Sequence, residues 1–307
     1  MLAWPLALAA AGCEASDGRP ETRRSSFDDD AAFRFDPRFF EKKRSPGAND
    51  WLGRFQERGQ SFFNYVTGDP VRPTERRRTL VLQPIGPWSE RHRRVLEALV
   101  EFMSIFFGTP ARLAADLPLP PTGFRTWDTG SGPKPQYQTG VLLDKVLAPR
   151  LPDDAVACLG VTMADLFPSP SWNYVFGEAS FERRVGIYSL VRYTPEFEGE
   201  PDCPAARGLL LRRSCKALAH ETGHMFSMAH CPFFECMMNG SNTLDELDRS
   251  PGWFCPVCLR KLHWNLGFGL AERYRKLAGF YRRHGLADWA AWMDGRLALV
   301  QPMVASR

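Results

Sequence analysis

Apolar positions fall into short continuous runs through the middle of the chain and into three- and four-residue spacing towards its end, a pattern of strands giving way to helices. Thr79-Leu80-Val81-Leu82-Gln83, closed by Pro84 and Gly86, predicts a first buried strand. Ser89 and Glu90 open a helical pattern in which Val95, Leu96, Leu99, Val100, Met103 and Phe107 recur, so its apolar stripe should lie on that sheet. Between Leu117 and Pro135, prolines and glycines are dense enough to predict a loop. A short helix over 139–146 and a second buried strand over Ala155–Thr162 follow. Trp172–Phe176, ahead of Gly177, and Arg184–Tyr193 carry the aromatic and β-branched residues of a strand pair. Leu209–Phe226 reads as one helix. Beyond Cys258 the spacing of Leu262, Leu266, Leu270, Tyr274, Leu277 and Tyr281, then of Trp289 and Trp292, is helical again, and there is no internal repeat.

Composition narrows the class. The 307 residues suffice for a real core; 44% are apolar and 24% charged, which excludes wholesale disorder or a coiled-coil rod. The net charge of +4 (39 basic against 35 acidic residues) is too small to imply a nucleic-acid partner, and Arg76-Arg77-Arg78 and Arg91-His92-Arg93-Arg94 read as solvated faces. No apolar run reaches the roughly 18 residues of a membrane span. Met1–Cys13 is a short apolar stretch ending in small residues before a cysteine, as in lipoprotein signals, but it lacks a basic start and has Ala10 where leucine is usual. A cytoplasmic location is therefore expected, with export and anchoring through Cys13 as the alternative. Residues 14–50 are polar, so 1–50 are expected to form a mobile tail. A domain over 51–285 should follow, with a sheet part (51–226) and a helical part (227–285), then a helical extension over 286–307.

Eight cysteines are spread unevenly: Cys13, Cys158, Cys203 and Cys215 stand alone, while Cys231, Cys236, Cys255 and Cys258 form two close pairs. Pairs of this spacing suit thiolate ligands for a closed structural zinc site and favour a reducing compartment, with free or disulfide-bonded cysteines as the other reading.

His220-Glu221-Thr222-Gly223-His224 is an H-E-x-x-H motif inside the predicted helix. Histidines four apart lie about 40° apart on one face, one turn apart, so both can reach a single ion, and Glu221 can face a water held there. His230 is six residues further on, and a continuing helix would carry it about 9 Å along and roughly 240° around. The helix must stop first. Metzincin-type sites place glycine at that turn, whereas this chain has Ser227. A left-handed non-glycine residue costs roughly 1–2 kcal/mol. Structural zinc in peptides is worth roughly 10–16 kcal/mol. The metal outweighs the strain, and His230 stays as the third ligand. His92, His263 and His284 fit solvated helix surfaces better than metal sites.

From His220 to Cys258, the three-histidine site followed at once by Cys231, then Cys236, Met238, Cys255 and Cys258, resembles the archaemetzincins, the zinc metallopeptidases of peptidase family M54. The resemblance extends through Trp172–Gly177, Gly240-Ser241-Asn242, Asp248–Pro251 and Asp50-Trp51-Leu52, covering about residues 50 to 285. It implies an α+β, metzincin-like fold: a mixed twisted β-sheet with an active-site helix, a methionine turn beneath the metal, and a helical C-terminal part. It selects Met238 as the turn methionine, which composition alone reads equally as a core residue, with Met237 beside it as a competitor. The expected cofactors are two Zn2+ per chain, one catalytic (His220, His224, His230) and one structural (Cys231, Cys236, Cys255, Cys258). Glu221 is the expected general base, and the partner is a peptide or protein substrate, with an aminopeptidase as one form of the activity. Metzincins bind peptides along an edge strand before the active-site helix; Gly177–Ser180 and Arg184–Ser189 are the two candidates. Ser227 favours a second reading, a zinc-stabilised peptide-binding module without turnover, against which the intact Glu221 speaks. Nucleic-acid binding through the four cysteines is opposed by Asp245, Glu246 and Asp248 in their loop.

Overall fold

The computed structural model describes residues 32–130 and 132–305. The Met1–Cys13 stretch lies outside them. The strands are β1 (Thr79–Ile85), β2 (Ala111–Leu113), β3 (Phe124–Asp128), β4 (Pro133–Gln138), β5 (Ala155–Thr162), β6 (Asp165–Phe167), β7 (Gly177–Ala179) and β8 (Val185–Ser189). The helices are α1 (Trp51–Arg54), α2 (Phe62–Thr67), α3 (Glu90–Phe107), α4 (Thr139–Val141), α5 (Pro204–Met225), α6 (Leu244–Arg249), α7 (Pro256–Leu266), α8 (Leu270–Arg283) and α9 (Ala287–Ala305). The α+β, metzincin-like expectation holds.

The main sheet runs β2-β1-β5-β8-β7, with β1, β2, β5 and β8 parallel and β7 antiparallel at one edge. Alternation in β1 sends Leu80 and Leu82 to the face covered by α3 and α5, and Val81 and Ile85 to the opposite face, where the π-helical turn Leu142–Leu147 packs. Burial on both faces explains why β5 is an unbroken apolar run, every residue of it inaccessible. The Ser89 hydroxyl caps α3 by accepting from the His92 amide.

Two strand expectations are corrected. The Pro/Gly-rich stretch is a hairpin, β3 against β4, extended by β6 into a second, three-stranded sheet. Its prolines are tolerated for a geometric reason. Gln138 donates its amide to the Gly123 carbonyl, so even-numbered positions of β4 face β3, while Pro133 and Pro135 face the other side, short of the stretch where β6 pairs with Gln136–Gln138. Trp172–Phe176 is not a strand; the antiparallel pair is Gly177–Ala179 with Val185–Ser189, and the aromatic residues ahead of it form a loop beside the site.

A third correction concerns the tail. From Ala32 onward the chain is packed rather than loose: Phe40 is buried, Phe39 and Phe40 meet Trp292 edge-on, Trp292 donates to the Phe39 carbonyl, and Arg296 donates to the Ala32 carbonyl. The polar average of this segment concealed a few aromatic anchors. Nor is 286–305 an appendage, because Leu286, Trp289, Ala290 and Met293 are buried in the same core as α8. Among the described residues, no helix is long and apolar enough to cross a membrane.

Candidate metal centre

Helix α5 starts with Pro204 in its first turn, where a missing amide costs nothing, and carries His220 and His224 on one face. It ends at Met225. Ser227 then adopts a left-handed backbone (φ 63°), as the turn requires, and the Met228 amide bonds back to the Gly223 carbonyl. The turn is braced from outside: the Val71 amide donates to Ser227 Oγ (3.1 Å), that hydroxyl donates to the Phe181 carbonyl (3.1 Å), and Gln60 donates to the Ser227 carbonyl (3.1 Å). His230 is thereby brought back, its ring centroid 5.1 Å from that of His220 and 5.0 Å from that of His224.

One ligand atom from each of the three histidines lies within 4.8 Å of the others. Each Nδ1 faces an acceptor: His220 the Met237 carbonyl at 2.8 Å, His224 the Met228 carbonyl at 2.7 Å, and His230 the Glu57 carboxylate at 2.8 Å. A carbonyl or carboxylate only accepts, so in the neutral rings Nδ1 carries the proton and Nε2 offers its lone pair inward. Burial, then the nearby His230, pushes His220 down to about 3, and burial with the other two rings holds His224 well below its ordinary value, so both are neutral near pH 7. His220 Nε2 and His224 Nε2 are 3.0 Å apart. Two lone pairs facing each other at that distance repel, a conflict that a shared cation removes. The residues fit a metal.

Glu221, on the same helix, is buried, and burial together with Glu178 raises its carboxyl well above the usual range. Backbone comes close to it: a Cβ on Gly177 would lie 2.5 Å from Glu221 Oε1, so only glycine lets β7 run against that carboxylate. Rings flank the histidines. Phe181 sits 5.2 Å from His224; Trp51 meets His230 edge-on at 5.0 Å, and Phe55 stacks on Trp172 beyond it.

Cys231, Cys236, Cys255 and Cys258 are all buried, with their sulfurs within 4.8 Å of one another. No disulfide joins them; the sulfurs of Cys231 and Cys255 are 3.6 Å apart, far beyond a disulfide bond of about 2.04 Å. That sets aside the disulfide reading for this structure. Amides of Met238 (3.4 Å) and Cys255 (3.2 Å) point at Cys236 Sγ, and that of Cys258 at Cys255 Sγ (3.5 Å), as suits thiolate acceptors. Crowding splits the set: hydrogen bonds from its neighbours draw Cys231 down, while burial raises Cys236 and the shared hydrogen bonds raise Cys258. Four sulfurs cannot all ionise at this spacing without a cation between them. This donor set is closed and soft, suited to structural zinc.

The two methionines divide the work. Met238 turns its sulfur under α5, whereas Met237 contributes the carbonyl that orients His220. Neither metal-capable group includes His92, His263 or His284. Sequence reasoning missed Glu57 and Gln60. Glu57 lies 173 positions from the histidine it touches, in a polar stretch that no spacing singles out.

A mixed sheet, a ligand-bearing helix, a turn methionine and a closed thiol cluster define a metzincin-type metallopeptidase. The chain belongs to the archaemetzincin family, the zinc metallopeptidases of peptidase family M54, whose pattern matches residues 136–264. It is 34% identical to archaemetzincin-2 of Macaca fascicularis over 258 residues, covering 75% of this chain and 71% of that protein, and equally identical over the same shares to archaemetzincin-2 of Homo sapiens. The crystal structure of archaemetzincin from Methanopyrus kandleri superposes with a TM-score of 0.50 at 29% identity, covering 64% of this chain and 99% of that one.

Proposed function

We propose that the chain hydrolyses peptide bonds at a catalytic zinc held by His220, His224 and His230, and that Cys231, Cys236, Cys255 and Cys258 hold a second, structural zinc. The convergence of one ligand atom from each of three histidines, with Glu221 following the first of them on α5, carries this reading. Zinc bound by three imidazoles supplies a Lewis acid and a water acidified towards a pKa of roughly 7. Glu221 acts on that water's proton. With a cation's charge beside it to oppose the upward push of burial and Glu178, the Glu221 carboxylate would accept the proton as the carbonyl is attacked and return it to the leaving amine. The free edge of β7 is the natural platform for an antiparallel peptide, since β8 is already paired on both sides and Gly177 brings the strand's backbone beside Glu221.

Met238 supports the floor of the site from below α5. The alternative of a binding module without turnover rested on Ser227, and its left-handed, hydrogen-bonded turn weakens that argument. The test is zinc stoichiometry with cleavage of a mixed peptide library, for wild type and Glu221→Gln. Two zinc ions in both proteins, with turnover lost in the variant, is the expected result. Full activity in Glu221→Gln overturns the assignment of the base. Trimming patterns in the same library separate an aminopeptidase from an endopeptidase.

A further inference from the structure

The three imidazoles are not anchored alike. His220 and His224 stand on a rigid helix and donate to main-chain carbonyls of Met237 and Met228, which belong to the same stretch of chain. His230 lies beyond the end of α5, on a loop that follows the left-handed Ser227, so no helix sets its direction. What it meets instead is a charged group from far away: Glu57 Oε1, 2.8 Å from His230 Nδ1.

Glu57 is itself held. Trp51 Nε1 donates to the same oxygen at 2.9 Å, while the Trp51 ring stands edge-on against the His230 ring. The Trp51 amide is in turn fixed by both oxygens of Glu246 at 3.0 and 2.9 Å, and Glu246 Oε2 also accepts from the Asn242 amide at 2.7 Å. Gly240 clears space for this: a Cβ there would lie 2.5 Å from the Trp51 ring. One relay, Glu246 to Trp51 to Glu57 to His230, thus ties the N-terminal segment both to the third histidine and to α6, which lies between Cys236 and Cys255. Glu57 Oε2 is buried with no hydrogen-bond partner, a desolvation cost retained at this position. Residues 136–264, the segment that matches the family pattern, contain every histidine and cysteine of the two clusters but neither Trp51 nor Glu57.

We infer that Glu57 is a positioning residue: its carboxylate fixes the tautomer and direction of His230, so that the N-terminal segment completes the three-histidine site. This rests on the proposed function of that site. A carboxylate behind a metal-binding imidazole keeps the proton on Nδ1 and makes Nε2 more basic, and its loss typically costs ten- to a hundred-fold in metal affinity.

The test uses the full chain as wild type, Glu57→Gln and Glu57→Ala. Zinc affinity is measured by competition with a chelator, and cobalt(II) loading separates the sites, because thiolate-bound cobalt shows charge-transfer bands that histidine-bound cobalt lacks. Expected for Glu57→Ala is a loss of about ten- to a hundred-fold at the histidine site with the cysteine site unchanged. Glu57→Gln should lose less, since its amide oxygen still accepts from Nδ1 and its volume is the same. Wild-type affinity in Glu57→Ala overturns the inference, as does equal weakening of both sites, which marks a general loss of fold. A wild-type chain that binds metal only at its cysteines overturns the proposed function and this inference together; two sites in wild type with no effect of Glu57→Ala overturns this inference alone.

Discussion

Gly223 and Met238 fit together as a lock between the active-site helix and the turn beneath it: a Cβ on Gly223 would lie 2.5 Å from the Met238 sulfur and 3.2 Å from its terminal methyl. In an exposed helix, Gly→Ala gains about 1 kcal/mol of helix propensity. Here the sign should reverse, because Met238 is fully buried and cannot yield without disturbing the floor of the site. Gly223→Ala is expected to destabilise by about 1–3 kcal/mol, the usual cost of overpacking. Trimming the partner in Gly223→Ala/Met238→Ala should recover part of the loss beyond additivity. Urea unfolding of the four proteins in the cycle measures this coupling, and additive losses would remove the proposed contact.

How much of this was legible in the sequence follows from distance along the chain. His220, Glu221, His224 and His230 could be read because helical geometry converts their spacing into a shared face and a required turn, and Ser227 duly adopts the left-handed backbone. The four cysteines could be read because two close pairs are themselves a ligand pattern. Strand β5 and helix α3 appeared with nearly their expected limits because burial on both faces and a capped amphipathic stripe leave local signatures. Glu57 could not be read, since its meaning arises only when the chain returns after 173 residues. The hairpin of β3 and β4 was hidden for another reason. Proline was weighed as a breaker, without knowing that Pro133 and Pro135 turn their missing amides away from the paired strand.

Lys216 gives the folded chain a pH signature of its own. Its side chain projects from α5 and is buried, donating to the carbonyls of Leu247 (2.8 Å) and Asp248 (3.1 Å) in α6, and burial pushes its pKa down from 10.5 to about 8. A lysine depressed in the folded state penalises folding in full below pH 8, where both states are protonated. As pH rises from about 8 towards 10.5, the folded state gives up the proton first, the unfolded chain binds more protons, and the penalty fades. Stability owed to this group therefore rises with pH across that window, by about 3 kcal/mol at most. Buried thiols act in the opposite direction, so the comparison must be between wild type and Lys216→Met. Unfolding free energies at pH 7, 8, 9 and 10 should show the wild type gaining on the variant only above pH 8. A constant difference would mean that Lys216 titrates as an exposed lysine does.

Ser227 is where the chain departs from the glycine that its family's turn favours, and two substitutions separate the strain from its compensation. At φ 63° the serine bears a left-handed penalty of about 1–2 kcal/mol. Against this stand two side-chain bonds, one accepted from the Val71 amide and one donated to the Phe181 carbonyl, each worth about 0.5–1.5 kcal/mol net. Ser227→Gly removes the strain and both bonds together, so its stability should stay within about 1 kcal/mol of wild type. Ser227→Ala loses the same two bonds, and like glycine leaves the Val71 amide without its acceptor, but keeps the strain, for an expected loss of about 1–3 kcal/mol. Both variants should retain metal at the histidine site, because His230 is directed by Glu57 and the Gln60 bond is to the main chain of Ser227. Denaturant unfolding with parallel zinc analysis checks the order. If alanine proves as stable as the wild-type serine, the hydroxyl does not brace the turn, and the backbone alone must hold the third histidine in place; if alanine proves as stable as glycine, the left-handed strain is absent.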